Sequence, residues 1–235
     1  MSGWVSRAAS RTALVALTVI SGNATGWLVG ATAHRLAGNR MAPWFVGRAS
    51  GVMAYLLLVA LVLMGLLLSH PARTRLRRPS QLTRIRIHVA LATFTLVFTV
   101  LHIVVLATDR YAGVGWWGSF LPMHAQYRPV AVTIGVIGMW AGLAAGVSAS
   151  LAGYLPSWAW WPLHRAAILA FVMIWVHGVF AGSDTSTLLP MYLGTAAASM
   201  IAALSRYTAV NHHDRLAEVS AAAAVERDVV EAGMR

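Results

Sequence analysis

The sequence predicts an all-α integral membrane protein: a six-helix bundle with both termini in the cytoplasm and a short cytoplasmic C-terminal tail. Three observations lead there. Of the 235 residues, 58% are hydrophobic and only 11% charged, and the mean hydropathy of +0.67 lies above that of a soluble domain of this length. Six apolar runs, 12–33, 48–69, 87–108, 129–153, 163–182 and 187–205, reach the roughly 20 residues needed to cross a hydrocarbon core of about 30 Å. The basic charge is all arginine, eighteen residues with no lysine, placed almost wholly at the ends of these runs.

The first run follows Arg7 and Arg11 and reads ALVALTVISGNATGWLVGATA. It is too long for the apolar core of a signal peptide and lacks a clean cleavage site, so it is expected as a retained first helix. Asn23 opens an N-x-T pattern inside this run, where glycosylation does not occur. The second and third runs are joined by HPARTRLRRPSQLTRIRIH, which holds Arg73, Arg75, Arg77, Arg78, Arg84 and Arg86. Arginine in short loops marks the cytoplasmic side, and that orientation places both termini inside. The first outer loop, with Arg35, Arg40 and Arg48, runs against the rule; the second has Arg110 and Arg128, and the third has none.

Tryptophan marks the edges of the later runs. Trp116 and Trp117 are expected as anchors at the outer interface, and Trp158, Trp160 and Trp161 at the inner one. The fourth run carries Gly138, Gly142 and Gly146, a doubled GxxxG that lets another helix approach closely, here within its own bundle. From Tyr207 the composition changes, and five of the seven acidic residues fall beyond that point. Residues 1–206 thus form the membrane domain and 207–235 a tail, helical in part through AEVSAAAAVERDVVEAG.

Composition also excludes functions. The formal charge of +11 belongs to the membrane interface and the lipid there, not to a nucleic-acid surface. With no cysteine there is no disulfide, no thiolate metal site and no covalent c-type haem. No GxGxxG after a strand and no P-loop occur in the sequence.

Histidine carries the chemistry. His88 and His102 lie on the third run and His164 and His177 on the fifth, each pair with one residue near the start and one about four helical turns later. An ionisable residue inside a membrane helix is costly unless paired or coordinated, so it marks a functional site. A spacing of 14 residues places His88 and His102 about 21 Å apart along the axis and about 40° short of four turns, on one face. A spacing of 13 leaves His164 and His177 about 140° short, a misfit that a π-type insertion or an irregular first turn after Pro162 resolves. The third and fifth runs point the same way, so His88 meets His164 at the cytoplasmic level and His102 meets His177 at the outer level. Neutral imidazole is an axial ligand of haem iron, and facing histidines in a helical bundle hold a porphyrin between them. Zinc fits worse, because no cysteine or intramembrane carboxylate completes its shell.

Two histidines with 13 residues between them on the third run and two with 12 between them on the fifth, within six apolar helices, resemble the ferric reductase-like transmembrane domain shared by ferric reductases and NADPH oxidases. The resemblance covers roughly residues 45–205. It implies two b-type haems, the inner held by His88 and His164 and the outer by His102 and His177, with electrons passing from cytoplasm to exterior. The best-known members continue into a dehydrogenase domain for FAD and NADPH, which this sequence lacks. Stand-alone bacterial relatives, such as the haem-bearing membrane partner of a periplasmic methionine sulfoxide reductase, are short in the same way. The expectation is then a separate donor, a flavoprotein, quinol or soluble reductase, and an external acceptor, a ferric chelate, dioxygen or another protein. Arginine in place of lysine with abundant alanine suggests a GC-rich bacterium, and so the inner membrane.

Among the supporting residues, Arg84, Arg86 and Arg165 flank the inner pair, where they answer to propionate binding or to plain positive-inside charge. Phe94, Phe98, Phe171 and Trp175 fall between the two levels and are expected as apolar filler. His34, His70, His212 and His213 are expected at helix ends or in the tail, and His124 in the outer loop is a titratable group near the outer level. Asp109 and Asp184 each follow the second histidine of a pair by seven residues. The rival reading from another class is a proton channel or transporter using the histidines as a relay, disfavoured because proton paths recruit embedded Asp or Glu. A purely structural subunit leaves the paired depths unexplained.

Overall fold

The computed structural model describes residues 39–71 and 79–233, with side chains described through Ala209. The predicted first helix, 12–33, and the loop residues Arg73, Arg75, Arg77 and Arg78 lie outside the described residues, as do His34 and the side chains of His212 and His213. The chain divides between Pro43 and Trp44 into two units, and the second, Trp44–Arg235, carries all four predicted ligands.

The described residues are all-α, without strands. Five helices are long and apolar enough to cross a membrane: α1 (Ala42–Ser69), α2 (Gln81–Thr108), α4 (Pro129–Ser150), α5 (Ser157–Ala181) and the first 25 residues of α6 (Thr185–Gly233). A short helix, α3 (Gly115–Phe120), lies in the loop before α4. The large side chains that face outward are apolar: Phe94, Val97, Ile168, Leu193 and Ile201 are all more than half exposed. Helices that are hydrophobic all round belong in lipid, and this is the pattern of a multi-pass membrane protein.

The ends of the helices follow from local chemistry. Ser80 caps α2, its hydroxyl accepting from the Thr83 N–H at 3.2 Å, as N-cap serines do. Pro129 opens α4 and Pro156 precedes α5, positions where a missing N–H costs nothing. α1 begins six residues before the predicted run because hydropathy passes over its first turns, PWFVGR, and Arg48 therefore lies within a helix instead of in the outer loop. α6 runs without a break from Thr185 through residue 206 to Gly233.

Two registers arrange the bundle. α1 packs antiparallel to α2, since ideal Cβ atoms built on Gly47, Gly51 and Gly65 would meet Leu106, His102 and His88 in turn. α1 runs parallel to α6, where polar contacts advance together along both helices. Arg48 pairs with Asp184 at 2.8 Å, Tyr55 and Thr195 share a short hydroxyl contact, and Arg206 donates to the Ser69 hydroxyl at 2.7 Å. Polar contacts fasten membrane helices because lipid offers no alternative partner. Between them a core of Tyr55, Val59 and Tyr192 takes in Phe171, Ile174 and Trp175 from α5.

Candidate haem-ligand site

Helices α2 and α5 bring His102 and His177 together, with ring centroids 6.5 Å apart and planes at 82°. Each ring is anchored by its Nδ1. His102 Nδ1 donates to the Gly47 carbonyl at 2.6 Å, and His177 Nδ1 donates to the Ala131 carbonyl at 2.8 Å. A carbonyl oxygen only accepts, so the proton sits on Nδ1 and the lone pair of each neutral ring sits on Nε2. This is how metal-binding histidines are oriented: the second nitrogen is given to a carbonyl, which fixes the tautomer.

Two glycines make room for the rings. A Cβ on Gly51 would stand 2.7 Å from His102 Nδ1, and one on Gly135 would stand 2.5 Å from His177 Nδ1. No larger residue fits at either place without moving an imidazole. The residues present suit a metal held between two axial imidazoles. Two nitrogen–metal bonds of about 2 Å, with about 1 Å more from each nitrogen to its ring centre, place such rings roughly 6 Å apart.

The inner level is built differently. His88 lies opposite Gly65, whose Cβ would be 3.4 Å from its ring, and it is electrostatically coupled to His164. No ring contact joins His88 to His164 among the described residues; His164 instead stacks on Trp160, with centroids 5.4 Å apart and planes 10° from parallel. The buried Nδ1 atoms of His88 and His164, and the Trp160 indole nitrogen, form no hydrogen bond. The physical reason lies in α5, which is α-helical on both sides of Pro162 with no π turn. The half-turn misfit between His164 and His177 is therefore not absorbed, and His164 turns away from the face that His177 presents.

The flanking residues sort in the same way. Arg84 is buried, at 3% exposure, while Arg86 and Arg165 are exposed, Arg165 lying over the Trp161 ring. Phe171 and Trp175 pack in the core between the two levels, whereas Phe94 faces outward. Trp116, Trp117, Trp158 and Trp161 are exposed, as anchors are, but Trp160 is not. His124 is exposed and bonds only the nearby Pro122 carbonyl. Gly138 and Gly142 of the doubled GxxxG pack on Met173, Ile174 and Ala170 of α5, and Gly146 meets nothing.

Sequence reasoning passed over Gly51, Gly65 and Gly135. A signal was present: Gly51 and Gly65 are 14 residues apart, the spacing of His88 and His102 on the next helix. It also passed over Arg48, Tyr127 and Arg128, which close the outer end. Tyr127 donates to the Ala181 carbonyl at 2.9 Å, and Arg128 to the Phe180 and Gly182 carbonyls at 2.6 and 3.1 Å. Among the described residues no three His, Cys, Asp or Glu side chains gather as a metal cage. No family model, curated protein or solved structure matches this chain.

Proposed function

We propose that this chain is a di-haem b-type membrane cytochrome of the ferric reductase-like kind, carrying electrons from a cytoplasmic-side donor to an acceptor at the outer face. The observation that carries the reading is the outer pair: two neutral imidazoles from different helices, each locked by Nδ1 to a backbone carbonyl, with ring centres 6.5 Å apart. In this reading His102 and His177 hold the outer haem and His88 and His164 the inner one. Haem supplies one-electron exchange between these levels.

The chain's own part is to hold, orient and insulate. The carbonyls of Gly47 and Ala131 fix the outer rings. Tyr55, Val59, Tyr192, Phe171 and Trp175 fill the space between the levels and exclude water from it. The arrangement has six membrane helices with both termini in the cytoplasm and 207–235 as a cytoplasmic tail, in a bacterial inner membrane. A separate flavoprotein or quinol serves as donor, and each iron, having two protein ligands, exchanges electrons without binding the acceptor.

The test is a dithionite-reduced minus oxidised spectrum of the detergent-purified chain, with haem counted by pyridine haemochrome. A low-spin b-type spectrum with two haems per chain is expected. A colourless protein that takes up no added haemin overturns the proposal.

A further inference from the structure

The outer pair has a second layer of support whose parts come from four separate places in the chain. The carbonyl that holds His102 belongs to Gly47, and the next residue, Arg48, reaches Asp184 at 2.8 Å. The carbonyl that holds His177 belongs to Ala131, and three residues before it Arg128 reaches the Phe180 and Gly182 carbonyls. Each histidine is thus tied to a backbone group beside an arginine, and both arginines close on the same turn, Phe180–Asp184, that follows the helix bearing His177. Tyr127 adds a bond to Ala181, and Thr185 bonds Val179 and Gly182 across the turn.

This clamp is held against a cost. Arg128 sits at φ 41°, a left-handed conformation that costs a non-glycine residue on the order of 1 kcal/mol. Arg48 is largely buried, at 15% side-chain exposure, and its ring contact with Trp44 holds the guanidinium from the other side. The inner pair has no counterpart: the Nδ1 atoms of His88 and His164 are buried and unbonded, and one ring is occupied in stacking on Trp160.

We infer that the outer pair is a preassembled cofactor site, held by the Arg48 and Arg128 clamp on the turn after α5, and that it takes its haem before the inner pair and independently of it. The inference rests on the cytochrome reading and adds to it an order of loading and the residues that set it. Arg48 and Arg128 are positioning residues, acting through the backbone that orients the two imidazoles. The clamped site binds with its rings already placed, whereas the inner site must first unstack His164 and orient two unanchored rings.

The experiment is a haemin titration of the full chain purified from haem-starved cells, followed by the Soret band. It is run in a His88→Ala background, which leaves the outer pair, and in a His102→Ala background, which leaves the inner one. The outer pair is expected to bind at least about tenfold more tightly, and Arg48→Gln or Arg128→Gln to weaken it by about tenfold, within the range seen when partners of metal-binding histidines are removed. Neither variant should move the inner titration. Arg48→Lys, which keeps the charge opposite Asp184, should recover part of the loss, and Arg110→Gln, an exposed arginine on the same loop, should change nothing. Inner binding as tight as outer, or clamp variants that shift both pairs equally or neither, overturns the inference while leaving the cytochrome reading in place. An intact four-histidine chain that binds no haemin overturns the cytochrome reading itself, and the inference with it.

Discussion

The two histidine pairs use the same residue type on the same two helices, yet the bundle treats them differently. At the outer level each imidazole has a carbonyl for its Nδ1 proton and a glycine beside its ring. At the inner level the Nδ1 atoms have no hydrogen-bond partner, one ring is stacked on an indole, and the glycine opposite His88 stands off by 3.4 Å. Identical ligands at matching depths do not make equivalent sites. What differs is the backbone that receives the second ring nitrogen, and the thirteen-residue step on α5 that brings one histidine to the shared face and turns the other from it.

The comparison is broken most directly by removing ligands. His102→Ala or His177→Ala should lower haem from two per chain to one and leave an inner haem that dithionite still reduces. Loss of both haems from either variant, counted by pyridine haemochrome, would show that the levels are not independent. Glycine substitution sharpens the contrast at the next scale. Gly51→Ala and Gly135→Ala push a methyl into an anchored imidazole and should each cost about 1–3 kcal/mol, as overpacked sites do, read as a lower melting temperature and partial loss of outer haem. Gly65→Ala, with a 3.4 Å contact, should leave inner haem content near that of the parent protein.

A smaller effect is expected from Trp160→Leu. Removing a stacked aromatic pair is worth about 0.5–1.5 kcal/mol beyond its area, so the inner haem should show a shifted low-spin EPR signal while the outer signal stays fixed. An outer signal that moves as well would place Trp160 in the global packing and not at His164. The smallest is Gly146→Ala: nothing lies within 4 Å of its Cβ position, and neither haem content nor melting temperature should fall. A clear loss would show that the whole doubled GxxxG, and not just Gly138 and Gly142, is a packing face.

The membrane class and the later helices were legible because hydropathy and length act locally. Hydropathy failed at the start of α1, where PWFVGR is polar enough to read as loop although it folds as two helical turns. That error hid Arg48, whose partner Asp184 lies 136 residues away and answers to no local pattern. The pairing of His102 with His177 followed from counting helix directions, which topology alone decides. The carbonyls that hold them did not, since Gly47 and Ala131 act through backbone atoms that every residue possesses. Gly51 and Gly135 were hidden for a related reason, because a glycine that yields space to a ring looks like any other glycine until the ring is placed against it.

The fixed tautomers of the outer pair also bear on protons. A relay histidine passes a proton by receiving on one nitrogen and releasing from the other, so both must be free to exchange. At His102 and His177 the single proton of each neutral ring is committed to a carbonyl that has none to return. The bonds that ready these imidazoles to share a lone pair thus make them poor carriers of hydrogen ions, and at this level the membrane stays closed to protons while being built for the passage of electrons.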